Sequence, residues 1–151
     1  MASPVELLSR TNPVFSAYAF YAAILVLKMM AMSVLTARQR FRKKVFANPE
    51  DTPAAKGKVK FDDPDVERIR RGHLNDLENI PIFLLIALLY TLTDPSHLLA
   101  INLFRAFTVA RILHTFVYTV VVIPQPSRAL SWAVGYIITG YMAVQVVLSF
   151  L

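Results

Sequence analysis

Between Val66 and Asn79 the chain reads VERIRRGHLNDLEN and then runs without a break into IPIFLLIALLYTL. Ionisable side chains carried to a bilayer on such a segment are costly unless paired or hydrated, and they mark functional sites. On a helix, Arg71, Asn75 and Glu78 share one face, while Arg70, His73 and Leu77 lie on a neighbouring one. Guanidinium groups clamp carboxylates bidentately, an amide donates and accepts, and a carboxylate accepts from an ammonium. This set suits a small zwitterionic ligand of net negative charge. Arg111, His114 and Tyr118 form a second polar stripe at i, i+3 and i+7. That stripe fits either an interhelical hydrogen-bond seam or the wall of a binding site. Lys28, deep in an apolar segment, either pairs inside the protein or snorkels, and Arg105 is expected to pair with Asp76 or another buried acid.

The elements that must position these groups are membrane spans. The chain has 151 residues, 56% of them hydrophobic and only 17% charged, with a mean hydropathy of +0.49. From Thr115 to the end the sole charged side chain is Arg128, a distribution no soluble surface has. Four apolar segments are expected, at about residues 12–37, 73–92, 98–122 and 128–151, in a single all-α domain built as a four-helix transmembrane bundle. The second has an apolar run of only 13 residues, so the polar turn before it belongs to the same helix. The first lacks a basic leader and a clear cleavage site and reads as a retained anchor. The turn TDPSH (Thr93 to His97) makes the second and third helices antiparallel neighbours, and the prolines of IPQPS separate the third from the fourth.

Of 16 Lys and Arg, 11 lie between Arg38 and Arg71, which places the loop of residues 38–72 on the cytosolic side and explains the net charge of +6. Nucleic acid is a poor alternative, because basic repeats with interleaved aromatics, zinc spacings and Gly-rich phosphate loops are all missing. Zero cysteines excludes disulfides and thiolate chemistry by the protein itself. His73, His97 and His114 lack metal-ligand spacing, Asp62, Asp63 and Asp65 lack a calcium-loop pattern, and no nucleophile elbow is present. The cations at the end of the first helix, the start of the second, Tyr118 and Arg128 converge on the cytosolic half of the bilayer, where Asp76 and Glu78 are the chief acids. The surplus positive charge asks for an anion. A 17.0 kDa bundle has little interior volume, so a site this polar belongs between subunits.

The strings KVFANPED (Lys44 to Asp51), VERIRRGHLNDLENI (Val66 to Ile80), ARILHTFVY (Ala110 to Tyr118) and PQPSRALS (Pro124 to Ser131) resemble the MAPEG family, membrane-associated proteins of eicosanoid and glutathione metabolism. The resemblance covers nearly the whole chain and lies nearest the glutathione transferase branch. It implies a homotrimer in the endoplasmic reticulum and outer mitochondrial membranes, with glutathione as co-substrate bound between subunits and no metal. The implied glutathione ligands are Arg40, Arg70, Arg71, His73, Asn75, Glu78 and Tyr118, with Arg111 lining the site. Arg128 would stabilise the glutathione thiolate, and Asp51 matches an aspartate given a catalytic role in the prostaglandin synthase branch. The implied reactions are conjugation of glutathione to hydrophobic electrophiles that arrive from membrane lipid, and reduction of lipid hydroperoxides. Alternatives within the family are a glutathione-dependent eicosanoid synthase and a non-enzymatic lipid-binding scaffold. Ala129 stands where the synthase has a serine, and the full polar set argues against a scaffold. Thr52 replaces the cysteine of mammalian transferases, and the stretch from Tyr118 to Arg128 is one residue longer than usual.

Overall fold

A computed structural model describes residues 3–151. Helix α1 spans Pro13–Lys43, α2 Pro64–Thr91, α3 His97–Thr115 and α4 Ser127–Ser149. All four, with α3 extended to Val120, are long and apolar enough to cross a membrane. The chain is therefore a multi-pass membrane protein. Strands β1 (Val45–Phe46) and β2 (Lys58–Val59) form a two-residue parallel pair in the polar segment between α1 and α2.

Local chemistry sets the helix ends. The Asn12 side chain accepts from the amides of Val14 (2.9 Å) and Phe15 (3.1 Å), and Pro13 occupies the first helical position. Helix α1 runs six residues past Ala37, because Arg38 to Lys43 are mostly good helix formers and Arg40, Arg42 and Lys43 complement the carbonyl end of its dipole. Asp63 caps α2 in the same way, accepting from Asp65 and Val66 at 3.1 and 3.2 Å, with Pro64 next in line. This helix starts nine residues before His73, so the charges from Glu67 to Arg71 ride on a helix and not on a loop. Between the two, Gly57 is required: a Cβ there would lie 2.5 Å from the Phe46 ring and 2.8 Å from the Lys44 carbonyl oxygen.

The packing order differs from the expected one. Helices α1 and α4 each pack along both α2 and α3, while the backbones of α2 and α3 come close at few places despite the short turn joining them. They face one another across the core through large side chains. Phe83 stacks on Phe107 at 3.6 Å between centroids, and Phe104 meets Phe83 edge-on. Leu25 of α1, Ile80 and Ala87 of α2, and Met142 of α4 close around them, all buried. Five-residue register takes over after α3: Phe116–Val120 forms a π turn, with the Val121 amide donating to the Phe116 carbonyl at 2.9 Å. This turn lies against the start of α2, where a Cβ on Gly72 would come within 2.8 Å of the Thr119 methyl.

Candidate functional site

Asp76 sits at zero exposure in the middle of this bundle, which an unpaired carboxylate does not tolerate. Lys28 of α1 pairs with one of its oxygens, and Arg111 Nη2 of α3 donates to the other at 2.7 Å. Thr115 Oγ1 approaches the first oxygen at 3.5 Å. The cluster thus ties three helices together. Lys28 takes the pairing alternative. Arg105 does not pair with Asp76: its Nε donates to the Tyr21 hydroxyl at 3.1 Å and its Nη1 to Asn102 Oδ1 at 3.3 Å. Asp76 is already saturated, and Arg105 is exposed on another face of α3.

One residue earlier on α2, Asn75 faces outward into a cavity of about 350 Å³. Arg71, Leu74, Asn75 and Glu78 from α2, His114 and Tyr118 from α3 and its π turn, and Gln125, Arg128, Ala129 and Trp132 from α4 form its walls. The π turn places Tyr118 under Arg128, whose guanidinium carbon lies 4.5 Å from the ring centroid. His114 is buried and meets Tyr118 edge-on at 5.7 Å. Arg71 and Arg128 make no salt bridge among the described residues, and neither does Glu78. The pocket therefore holds two free cations and one free carboxylate.

A second cavity of about 510 Å³ opens on the other flank of α2, lined by Arg40, Ser33 and Thr36 of α1 and by Glu67, Arg70, Arg71, His73 and Leu77 of α2. Arg40 Nη1 is buried there without a hydrogen-bond partner among the described residues, and Arg70 is tied to Glu67 at 2.7 Å. The expected ligand set is thus divided in one chain. Asn75, Glu78, Tyr118 and Arg128 lie on one side, Arg40, Arg70 and His73 on the other, with Arg71 bordering both. Arg111, expected in the lining, is fully buried behind it, because Asp76 draws it inward. Asp51 is exposed on the polar segment, accepts from Asn48 Nδ2 at 3.3 Å and borders neither cavity. Among the described residues no group of three His, Asp or Glu is disposed to hold a metal ion.

Sequence reasoning left out Gln125 and Trp132. Trp132 stands one helical turn after Arg128, so the i, i+4 spacing was a usable signal. Nothing local pointed to the stacking of Arg128 on Tyr118. Below Asn75 and Glu78 the first cavity continues into a groove of about 430 Å³ between α2 and α4, walled by Ile82, Trp132, Tyr136, Thr139, Gly140 and Ala143. Trp132 and Tyr136 stack at 4.9 Å, and a side chain added at Gly140 would meet open space.

Fold and site together define a multi-pass membrane protein with a cation-lined pocket that opens to an apolar groove. A family model described as the MAPEG family matches residues 18–148, and the chain belongs to that family. It is similar to microsomal glutathione S-transferase 1 of Homo sapiens, 53% identical over 138 residues covering 87% of this chain and 88% of that protein. The Sus scrofa protein of the same name is 50% identical over 148 residues, covering 95% and 94%. Prostaglandin E synthase of Equus caballus is 37% identical over 146 residues, covering 95% and 94%.

Proposed function

We propose that this protein is a membrane-bound glutathione S-transferase whose catalytic arginine is Arg128. One observation carries the reading: Arg71, Arg128 and Glu78 converge on one pocket, none of them in a salt bridge among the described residues. Glutathione supplies the complementary charges, two carboxylates for the arginines and an ammonium for Glu78. A guanidinium beside the sulfur favours the thiolate, and the thiolate is the nucleophile. Tyr118 holds Arg128 from below, so the cation faces the pocket with little freedom to reorganise. The thiol gives its proton to water, the sulfur forms a bond to the electrophilic carbon, and the leaving group departs with its electron pair.

The electrophile occupies the groove along Trp132, Tyr136 and Gly140 and arrives laterally from lipid. The same thiolate reduces lipid hydroperoxides, taking one oxygen to give an alcohol and a sulfenate that a second glutathione resolves as disulfide. Arg40, Arg70 and His73 complete the site from the adjacent subunit of a homotrimer, which accounts for the division of the ligand set across two flanks of α2. Arg111 acts from behind the wall, and Asp51 belongs to the site only where subunits meet. The basic segment between α1 and α2 lies on the cytosolic face of the endoplasmic reticulum, with the outer mitochondrial membrane as a second location. Ala129, which borders the pocket, offers no hydroxyl for the synthase-type isomerisation.

The test is the ultraviolet absorbance of glutathione thiolate on mixing glutathione with purified protein in detergent. A thiolate signal lost in Arg128→Ala, with binding retained, supports the assignment. Binding without thiolate in the unmodified protein points to a synthase or scaffold, and equal loss of binding and thiolate in Arg128→Ala removes its special role.

A further inference from the structure

Asn75 carries more information than its place on the pocket wall. Its Oδ1 accepts from Arg111 Nη2 at 2.7 Å, the nitrogen that also serves Asp76 at 2.7 Å. A guanidinium has donors only, so the atom of Asn75 that meets it is the oxygen. The Nδ2 group, with two N–H donors, is therefore turned away from Arg111. The wall of the cavity that Asn75 helps form is the surface left to it. Arg111 in turn has one engaged nitrogen: among the described residues Nε and Nη1 are buried without partners, and its hydrogen bonds go to Asp76 and Asn75. Lys28 fixes Asp76 from the opposite side.

We infer that the buried Lys28–Asp76–Arg111 cluster is a positioning device that locks the Asn75 amide with its donors toward the ligand. It thereby fixes that subsite for a hydrogen-bond acceptor of the bound peptide, a carboxylate or a carbonyl oxygen. This rests on the reading of the pocket as the glutathione site. None of the three cluster residues borders the cavity, so each acts through Asn75 and not on the ligand. The geometry separates two roles that adjacent residues of α2 play, Asp76 inward as anchor and Asn75 outward as the anchored group.

The experiment is a double-mutant cycle on full-length protein in lipid nanodiscs, read as the dissociation constant for glutathione and as KM against kcat. Arg111→Met is expected to weaken glutathione binding about tenfold in the otherwise unmodified protein, and less than about twofold in an Asn75→Ala background. Losses that simply multiply would mean a general structural role and overturn the proposal. Asn75→Asp supplies an independent arm should Arg111→Met fail to fold. The substitution is isosteric and keeps an oxygen for Arg111, but turns an acceptor toward the ligand. It is expected to hold the thermal midpoint while losing glutathione binding by at least about tenfold. Full binding by Asn75→Asp overturns the donor assignment. Failure of the unmodified protein to bind glutathione would instead sink the underlying site reading, and the two failures are distinguishable.

Discussion

Asp76 and Glu78 are two positions apart on the same helix, yet one is paired inside the bundle and the other lines an open pocket without a salt bridge among the described residues. Asp76 is enclosed, with Lys28 on one oxygen and Arg111 on the other. Glu78 is exposed to a pocket whose two arginines also make no salt bridge among the described residues. Charge saturation distinguishes the two regions better than charge content does. A buried carboxylate with both oxygens engaged helps to build the fold, whereas a set of the same residue types left without salt bridges at the surface of the bundle is a candidate for recognition.

The comparison can be broken most forcefully from the inside. Asp76→Leu leaves the half-buried Lys28 and the fully buried Arg111 without their anion and should destabilise the protein by about 3–5 kcal/mol. Replacing all three with apolar residues of similar size (Lys28→Met, Asp76→Leu, Arg111→Met) should recover most of that loss. Thermal unfolding in nanodiscs checks both, and a triple variant as unstable as the single one would contradict the saturation argument. In the pocket, Arg128→Ala should lower kcat by about 10²–10³, as for removal of one preorganised donor at a developing anion. Its KM for glutathione should move far less, and a matching rise in KM would mean ordinary ligand binding.

Smaller effects sharpen the contrast. Glu78→Gln should raise the glutathione KM roughly tenfold, since a charge-assisted hydrogen bond to the ammonium is worth about 1.5–3 kcal/mol. Thermal stability should stay put, because Glu78 is exposed and its side chain makes no salt bridge among the described residues. Tyr118→Leu should weaken catalysis by roughly threefold to tenfold through loss of the cation–π contact, with Tyr118→Phe retaining most of it. Last, Gly140→Leu fills open space in the groove and should discriminate against bulky electrophiles by a few fold, on the order of 1 kcal/mol. Substrate competition between a small and a large electrophile reads that outcome directly.

Much of this molecule was legible along the chain because the relevant physics is local. The apolar runs, the Asn12-Pro13 and Asp63-Pro64 helix starts and the face shared by Arg71, Asn75 and Glu78 depend on a few neighbouring residues. Period and capping chemistry carry that information wherever the helix is placed. Partner choice is different. Asp76 could have served Arg105 as well as Arg111, and the turn at residues 93–97 suggested side-by-side packing of α2 and α3. Which helices touch depends on fitting Phe83, Phe104 and Phe107 into one core, a many-body packing problem without a linear signature.

The π turn at Phe116–Val120 is likewise a product of the assembled bundle, and with it the stacking of Tyr118 beneath Arg128. Sequence alone therefore established a membrane protein with four candidate spans and a cation-rich stretch at one end of its second helix. Which of those cations pair with an acid inside the bundle was settled only by folding, because pairing needs ångström-scale proximity between residues 35 to 48 positions apart.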